Sequence, residues 1–435
     1  MAVGRYGGKP RDARQSRTAT GIESKVGLDV TALPPYRPTA RRLLPWAAAL
    51  CLAAVFTPTT LEAQLQGRLG IEARAFPMNP LHEGADHMNG SVSIEPEWYK
   101  DFDRRRQRIL VHAFLRVDGN DDARTHFDLR ELMWERVDRW GEVRIGLGLV
   151  FWGVTESQHL VDVVNQTDLV ENPDGEDKLG QPMLNLRLFQ RWGTLDLFVL
   201  PFFRERTFPG ANGRLRPPLV VDTDNAQYES SAGRTHLDFA LRWSHMLGEW
   251  DVGVSAFRGT NRDPLLIPTQ GSDGPMLTPF YQQINQIGLD LQRTFGGWLW
   301  KLEAITRSGE TLDRFLAFTG GIEYTFVGAF GSNMDVGVLT EYLYDSRGRT
   351  GSPFANDIFV GSRIAFNDVQ STDLLVGGIV DQRTGETLFS VEGNHRLGSD
   401  WLLSIEVRAF IAGSSDTFAG FRRDGYVQVE LNRFF

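Results

Sequence analysis

From Leu65 to its last residue the chain alternates apolar and polar side chains with a period of two, and this pattern limits the possible folds more than any motif does. In LQGRLGIEARA, Leu65, Leu69, Ile71, Ala73 and Ala75 share one face while Gln66, Arg68, Glu72 and Arg74 share the other, as in a β-strand between two different environments. Eighteen such segments follow one another: 65–75, 91–98, 108–117, 125–132, 142–152, 183–189, 194–203, 236–244, 250–257, 284–292, 298–305, 319–326, 334–344, 358–366, 371–380, 388–397, 401–411 and 426–435. The connections alternate as well. Those after odd-numbered segments are long, notably 153–182, 205–234 and 259–283, and those after even-numbered ones are tight turns such as 139–141, 247–249 and 296–297. Only 382–387 is short where a long loop is due. A meander with its long loops at one end is the plan of a transmembrane β-barrel. The expected fold class is all-β: an antiparallel barrel of eighteen strands, sixteen being the neighbouring even count, with long extracellular loops and short periplasmic turns.

The start of the chain fits export. Arg41 and Arg42 precede the apolar run LLPWAAALCLAAVF (43–56), then TPTT and LEA, ending at Ala63. A basic n-region, a short h-region and a small residue at the cut are the marks of a secretory signal peptide. Fourteen apolar residues are too few for a helical span, which needs about 20. Residues 1–63 are therefore read as an N-terminal extension plus leader, removed on export, and 64–435 as a single outer-membrane barrel. The sole cysteine, Cys51, leaves with the leader, and the net charge moves from −9 to −14 as nine basic and four acidic residues are lost. That acidity excludes a nucleic-acid partner.

Other classes fit less well. A propeller would show blade repeats of roughly 40–50 residues, and the sequence has none. Aromatics instead stand at segment ends (Trp98, Tyr99, Phe151, Trp152, Phe202, Phe203, Trp250, Trp298, Trp300, Tyr342, Tyr344 and Trp401), where a barrel's interfacial girdles belong. Enzyme chemistry finds no constellation. Ser244 and His245 are adjacent in a strand and point to opposite faces, and no G-x-S-x-G, Walker, dinucleotide or zinc pattern occurs. NPDGED (172–177) offers oxygens around a turn but lacks EF-hand spacing. Neither a cofactor nor a metal is expected.

One stretch breaks the alternation: FWGVTESQHLVDVVNQTDLVENPDGEDKLGQP, 151–182. Thr155 and Gln158 stand at capping-box spacing, and Leu160, Val161, Val163 and Val164 give an apolar face, so a short helix is expected before the turn chemistry of DLVENPDGED. A loop with its own apolar face must bury it. Folding 153–182 into the lumen lets that face pack on the wall and leaves Asp162, Asn165, Asp168 and Glu171 toward water. Arg130, Arg144, Arg187, Arg204 and Arg242 lie on polar faces of nearby strands, either as a basic wall opposite the loop or simply as partners of lumen carboxylates such as Asp128 and Asp238.

At this point the chain resembles a porin, whose constriction loop dips into the barrel and sets acidic against basic groups. Residues 129–209, with the Trp152-Gly153 pair, the Asn172-Pro173 segment and a strand ending in P-x-F, resemble a porin-like, poorly characterised family of outer-membrane channels. The end at Phe435, after apolar Val427, Val429 and Leu431, resembles the outer-membrane assembly signal, Arg433 being the departure. The resemblance implies a channel for passive or weakly selective diffusion of small solutes. Its implied partners are outer-membrane lipids and lipopolysaccharide, the insertion machinery and the solutes themselves, and a homo-oligomer is compatible with it. Two alternatives stay open: a specific transporter or exporter of a hydrophobic or polysaccharide ligand, and a plugged structural or surface-binding barrel.

Overall fold

The computed structural model describes residues 63–435 apart from 83, 272, 273 and 415. Eighteen antiparallel strands close into one barrel. They are β1 Ala63–Ala75, β2 Met88–Phe102, β3 Gln107–Asp118, β4 His126–Asp138, β5 Gly141–Gly148, β6 Gln181–Gln190, β7 Gly193–Leu200, β8 Asp238–Leu247 and β9 Trp250–Thr260. The second half comprises β10 Gln283–Phe295, β11 Trp298–Gly309, β12 Phe315–Phe326, β13 Asp335–Asp345, β14 Asn356–Ala365, β15 Asp373–Asp381, β16 Thr387–Leu397, β17 Trp401–Ile411 and β18 Tyr426–Phe434. Each of the eighteen alternating segments overlaps one strand. The extension and leader expected before the barrel lie outside the described residues, save Ala63, which opens β1.

Closure joins β1 to β18 with Arg68 opposite Phe434 and Ala75 opposite Val427. The terminal residue extends this seam, since the Phe435 amide donates to the Gly67 carbonyl (3.0 Å) and the Gly67 amide donates back (3.1 Å). Closing the sheet removes its edges, so no backbone row is left unpaired toward lipid. The two faces separate as the alternation demands: Ile71, Ile145, Ile287, Val338, Val360 and Val429 are exposed on the outside, while Glu72, Asp196, Asp290, Glu303 and Glu341 are buried within. Arg433 sits on the outer face with its guanidinium 5.7 Å from the Trp401 ring centroid, a cation–π contact at an aromatic rim.

One expectation changes. Trp152 and Phe203, placed in a girdle by their position at segment ends, are buried at 4% and 1% exposure inside the barrel. Both fall after their strands have ended, at Gly148 and Leu200, so the alternation no longer assigns their face. The long connection 259–283 carries a hairpin of its own, 265–271 paired with 274–281, joined in parallel by 227–228. Tyr281, wholly buried, anchors it against Phe203 and Tyr228 at 4.8 and 5.4 Å between ring centroids.

The topology predicts that an epitope inserted at Asn212 labels on intact cells while one at Gly296–Gly297 labels only after permeabilisation. Equal labelling at both positions would exclude this orientation.

Candidate functional site

The interior of an eighteen-stranded barrel is too wide for wall side chains alone to fill, and here residues 149–180 occupy it. The segment folds inward, and where a short helix was expected it contains none among the described residues. Its hydrogen-bonding partners lie on the wall instead. The carboxylate of Glu303 on β11 accepts from the backbone amides of Val154 (2.7 Å), Thr155 (3.1 Å) and Val161 (3.2 Å) and from the Thr155 hydroxyl (2.8 Å). Glu341 on β13 accepts from the amides of Glu156 and Ser157 at 2.8 and 2.9 Å. Thr155 therefore does not cap a helix: its hydroxyl also reaches the Gln158 carbonyl at 2.6 Å.

The apolar face packs where the sequence placed it. Trp152, Val161, Val163 and Val164 join Met133, Met183, Phe198, Phe257, Ile284, Ile305 and Phe315 in one buried cluster. Val161 seats over Gly288 on β10, where an added Cβ would lie 3.1 Å from a valine methyl. Each fully buried valine contributes about 1.5–3 kcal/mol of transfer free energy, which favours inward docking of the strap.

The far end of the strap is held by arginines. Arg116 reaches the Glu171 carboxylate at 2.8 Å, Arg130 reaches Asp168 at 2.8 Å, and Arg74 and Arg124 donate to the Glu171 carbonyl at 2.9 and 3.3 Å. Glu72 on β1 links Arg116 and Arg124 into the same network. Burial opposes ionisation of Asp168, but His126 and Arg130 beside it hold its carboxyl below the usual range.

The residues expected at a constriction thus have other surroundings. Asn165 (2%), Asp168 (0%) and Glu171 (5%) are buried, and Asp162 is enclosed against Lys178 at 3.1 Å. Asn165 bridges Gly148 and Leu179 through its amide, both at 2.9 Å. The five arginines are each paired: Arg130 also with Asp128, Arg144 with Glu135, Arg187 with Asp196, Arg204 with Asp128 and Arg242 with Asp290. Arg130 and Glu171 do line an open cavity. Arg144, Arg187, Arg204 and Arg242 line neither of the two large cavities.

Those cavities define the site. The inner one, about 600 Å³, runs along β1–β4 and β16–β18 and is walled by charged groups including Arg68, Glu95 and Arg116. The outer one, about 780 Å³, opens among the long loops and is walled by phenylalanines, prolines and leucines. Three residues line both: Asp174, Glu176 and Glu392, all carboxylates. Asp174 and Glu176 flank Gly175, which turns with φ +85°; Glu392 faces them from β16. Arg408 lies at 2.8 Å from Asp174 and 3.2 Å from Glu392, and His159 at 3.0 Å from Glu176. Burial opposes protonation of His159, but Glu176 and Glu303 raise its pKa to about 10, so it is cationic at neutral pH. Asp174, Glu392 and Glu406 bring ligand oxygens within 4.8 Å of one another, and Arg408 already supplies the compensating charge. Beside this throat, burial together with Asp174 and Glu171 pushes Asp177 up to about 7.

The turn NPDGED, read in the sequence as turn chemistry without cation-loop spacing, carried the signal for the throat. Glu392 had none, since a single lumen carboxylate in VEGNH looks like any other polar position.

No protein-family model and no curated protein matches the sequence. Among solved structures, the chain is similar to a BenF-like porin from Pseudomonas fluorescens, with a TM-score of 0.52, 12% identity and coverage of 86% of this chain and 97% of that one. It is also similar to Wzi, an outer-membrane, carbohydrate-binding β-barrel involved in group 1 capsule assembly in Escherichia coli, with a TM-score of 0.51, 10% identity and coverage of 93% and 89%. At these identities the likeness is one of fold: the chain shares a closed antiparallel β-barrel with two outer-membrane proteins.

Two outcomes follow. Glu303→Ala leaves several buried donors of the strap without an acceptor, at about 1–3 kcal/mol each, so limited proteolysis should cut within 153–162 while the barrel stays resistant. Uncut protein would show that Glu303 does not hold the strap. Asp177 is neutral below and charged above its pKa, so raising pH from 6 to 8 adds negative charge near the throat and should move the reversal potential toward greater cation selectivity; a pH-independent potential would exclude that role.

Proposed function

We propose that the protein is an outer-membrane channel through which small solutes pass by passive, weakly selective diffusion. The observation that carries this reading is the meeting of two lumen cavities at three carboxylates, one cavity facing the long loops and the other the short turns. A barrel used only as a scaffold has no need of a charged junction between aqueous spaces. The fold shared with a porin supports the same class.

The selectivity proposed here differs in location from the one expected at Asp162, Asn165, Asp168 and Glu171. Those groups are spent on holding the strap, and the filter falls to the residues whose charge still faces water. Glu176 and Glu392 keep 55% and 44% of their side-chain surface exposed, whereas Arg408 keeps 7%. A solute in the throat therefore meets oxygen more than guanidinium, and cations are favoured.

Removing one unit charge about 4 Å from a permeating ion in water changes its energy by about 1 kcal/mol. Glu176→Gln and Glu392→Gln should each lower the cation-to-anion permeability ratio about tenfold or more in planar bilayers at 0.1 M salt, because the change has opposite sign for cation and anion. The effect should shrink at 1 M, where the screening length falls to about 3 Å. A purified, heat-modifiable barrel that passes no ion current would refute the channel reading in favour of the plugged one.

A further inference from the structure

The walls of the outer cavity break the rule that a porin interior is polar. Phe359 on β14, Ile379 on β15, Leu388 on β16 and Phe410 on β17 all turn inward and line it. Four neighbouring strands thus present an apolar sector to the lumen. The sector is built: the ring of Phe359 lies over Gly361 and Gly377, where an added Cβ would come within 2.9 and 2.5 Å of ring carbons. Phe418 and Phe421 from the loop after β17 roof it, at 6.3 and 5.7 Å from Phe410 between ring centroids. That roof is fixed by Glu386, whose carboxylate accepts from the Thr417 amide at 3.2 Å and is held by Arg349 at 3.0 Å.

The floor of the same cavity is the throat. Leu388, Ser390 and Glu392 lie on one face of β16, and the Phe359 ring, leaning over Gly377 opposite Ser390, carries the apolar sector to within about 7 Å of the carboxylate along the strand. The accessible charge on that floor is negative. Glu176 and Glu392 are about half exposed, while Arg408, Arg206 and His159 keep 7%, 16% and 17% of their side-chain surface. An apolar pocket with a few convergent polar groups is a ligand site, and aromatic faces above carboxylates suit an organic ammonium.

We propose that the outer cavity is a binding site for small organic cations carrying an aromatic body, the body resting in the apolar sector and the ammonium on Glu392 and Glu176. This rests on the channel reading and gives it a preferred solute class; a binding assay that needs no current keeps the two separable. The probes are phenethylammonium, phenylacetate (the same body with an anionic head), ethylammonium (the head without the body) and neutral 2-phenylethanol. Binding to the full barrel in nanodiscs is measured by calorimetry, and block of ion current is measured in parallel.

Phenethylammonium should bind at least tenfold more tightly than phenylacetate or ethylammonium. Glu392→Gln should weaken it about tenfold and leave 2-phenylethanol unchanged, whereas Phe418→Ala should weaken phenethylammonium and 2-phenylethanol alike. Heat-modifiable migration checks the fold of each variant. Phenylacetate binding as tightly as phenethylammonium, indifference to both substitutions, or a neutral oligosaccharide binding more tightly than every probe would each overturn the assignment. Saturable phenethylammonium binding to a barrel that carries no current would sustain the site while refuting the channel. Ion current with no discrimination among the probes would sustain the channel and overturn the site.

Discussion

Everything inside this barrel depends on how an irregular piece of backbone is kept hydrogen-bonded. Residues 149–180 leave the sheet and cross the lumen without regular helix or long strand, so their amides and carbonyls need partners. A short pairing of 166–167 with 178–179 supplies some, and the wall supplies others. Glu303 and Glu341 on β11 and β13 take the amides of 154–161, and Arg74 and Arg124 take the carbonyl of Glu171 across the lumen. Charged acceptors and donors form stronger bonds than neutral ones. A strap tied at both ends divides the interior, and the turn at Gly175 then fixes where the two halves meet.

The same ties explain why the throat is not where charge counting along the loop would put it. A carboxylate close to an arginine fork gains a bidentate, charge-assisted contact, and the wall around β1–β4 is rich in such forks. Asp168 and Glu171 fall opposite them and are tied up in ion pairs, Asp168 fully buried and Glu171 at the edge of the inner cavity. Asp174 and Glu176 fall a few residues later, beyond the reach of that cluster, and keep solvent contact. Position relative to the arginines decides which acids are structural and which remain available to a solute.

The strands were legible because their signal is local: period-two alternation and unequal gaps survive without knowledge of any partner. The inward course of the strap was legible too, since Val161, Val163 and Val164 needed an apolar wall. Its conformation was not. The residues that compete with a helical turn at Thr155 are Glu303 and Glu341, roughly 150 and 185 positions away, and no spacing rule reaches that far. Trp152 and Phe203 were misplaced for a related reason: beyond a strand's last residue the alternation gives no direction, and inward packing on Phe198 at 5.8 Å and Tyr281 at 4.8 Å decides instead.

The apolar sector, by contrast, was visible in principle. In IFVGSRIAF and STDLLVGGIV the apolar residues occupy both faces of the strand, with Phe359 and Ile379 on the face that should be polar. A strand buried on both sides reads this way, and in a membrane barrel the second burial can come only from the lumen. Glycines 361 and 377 sharpen the signal, because they leave space on the inner face beside a large ring. A lumen that were merely a water-filled passage would gain nothing from such packing, and exposing apolar surface to water has a free-energy cost in proportion to its area. The loops that roof Phe410 reduce that cost, and the cavity that remains under them is where a solute with an apolar body would lower it further.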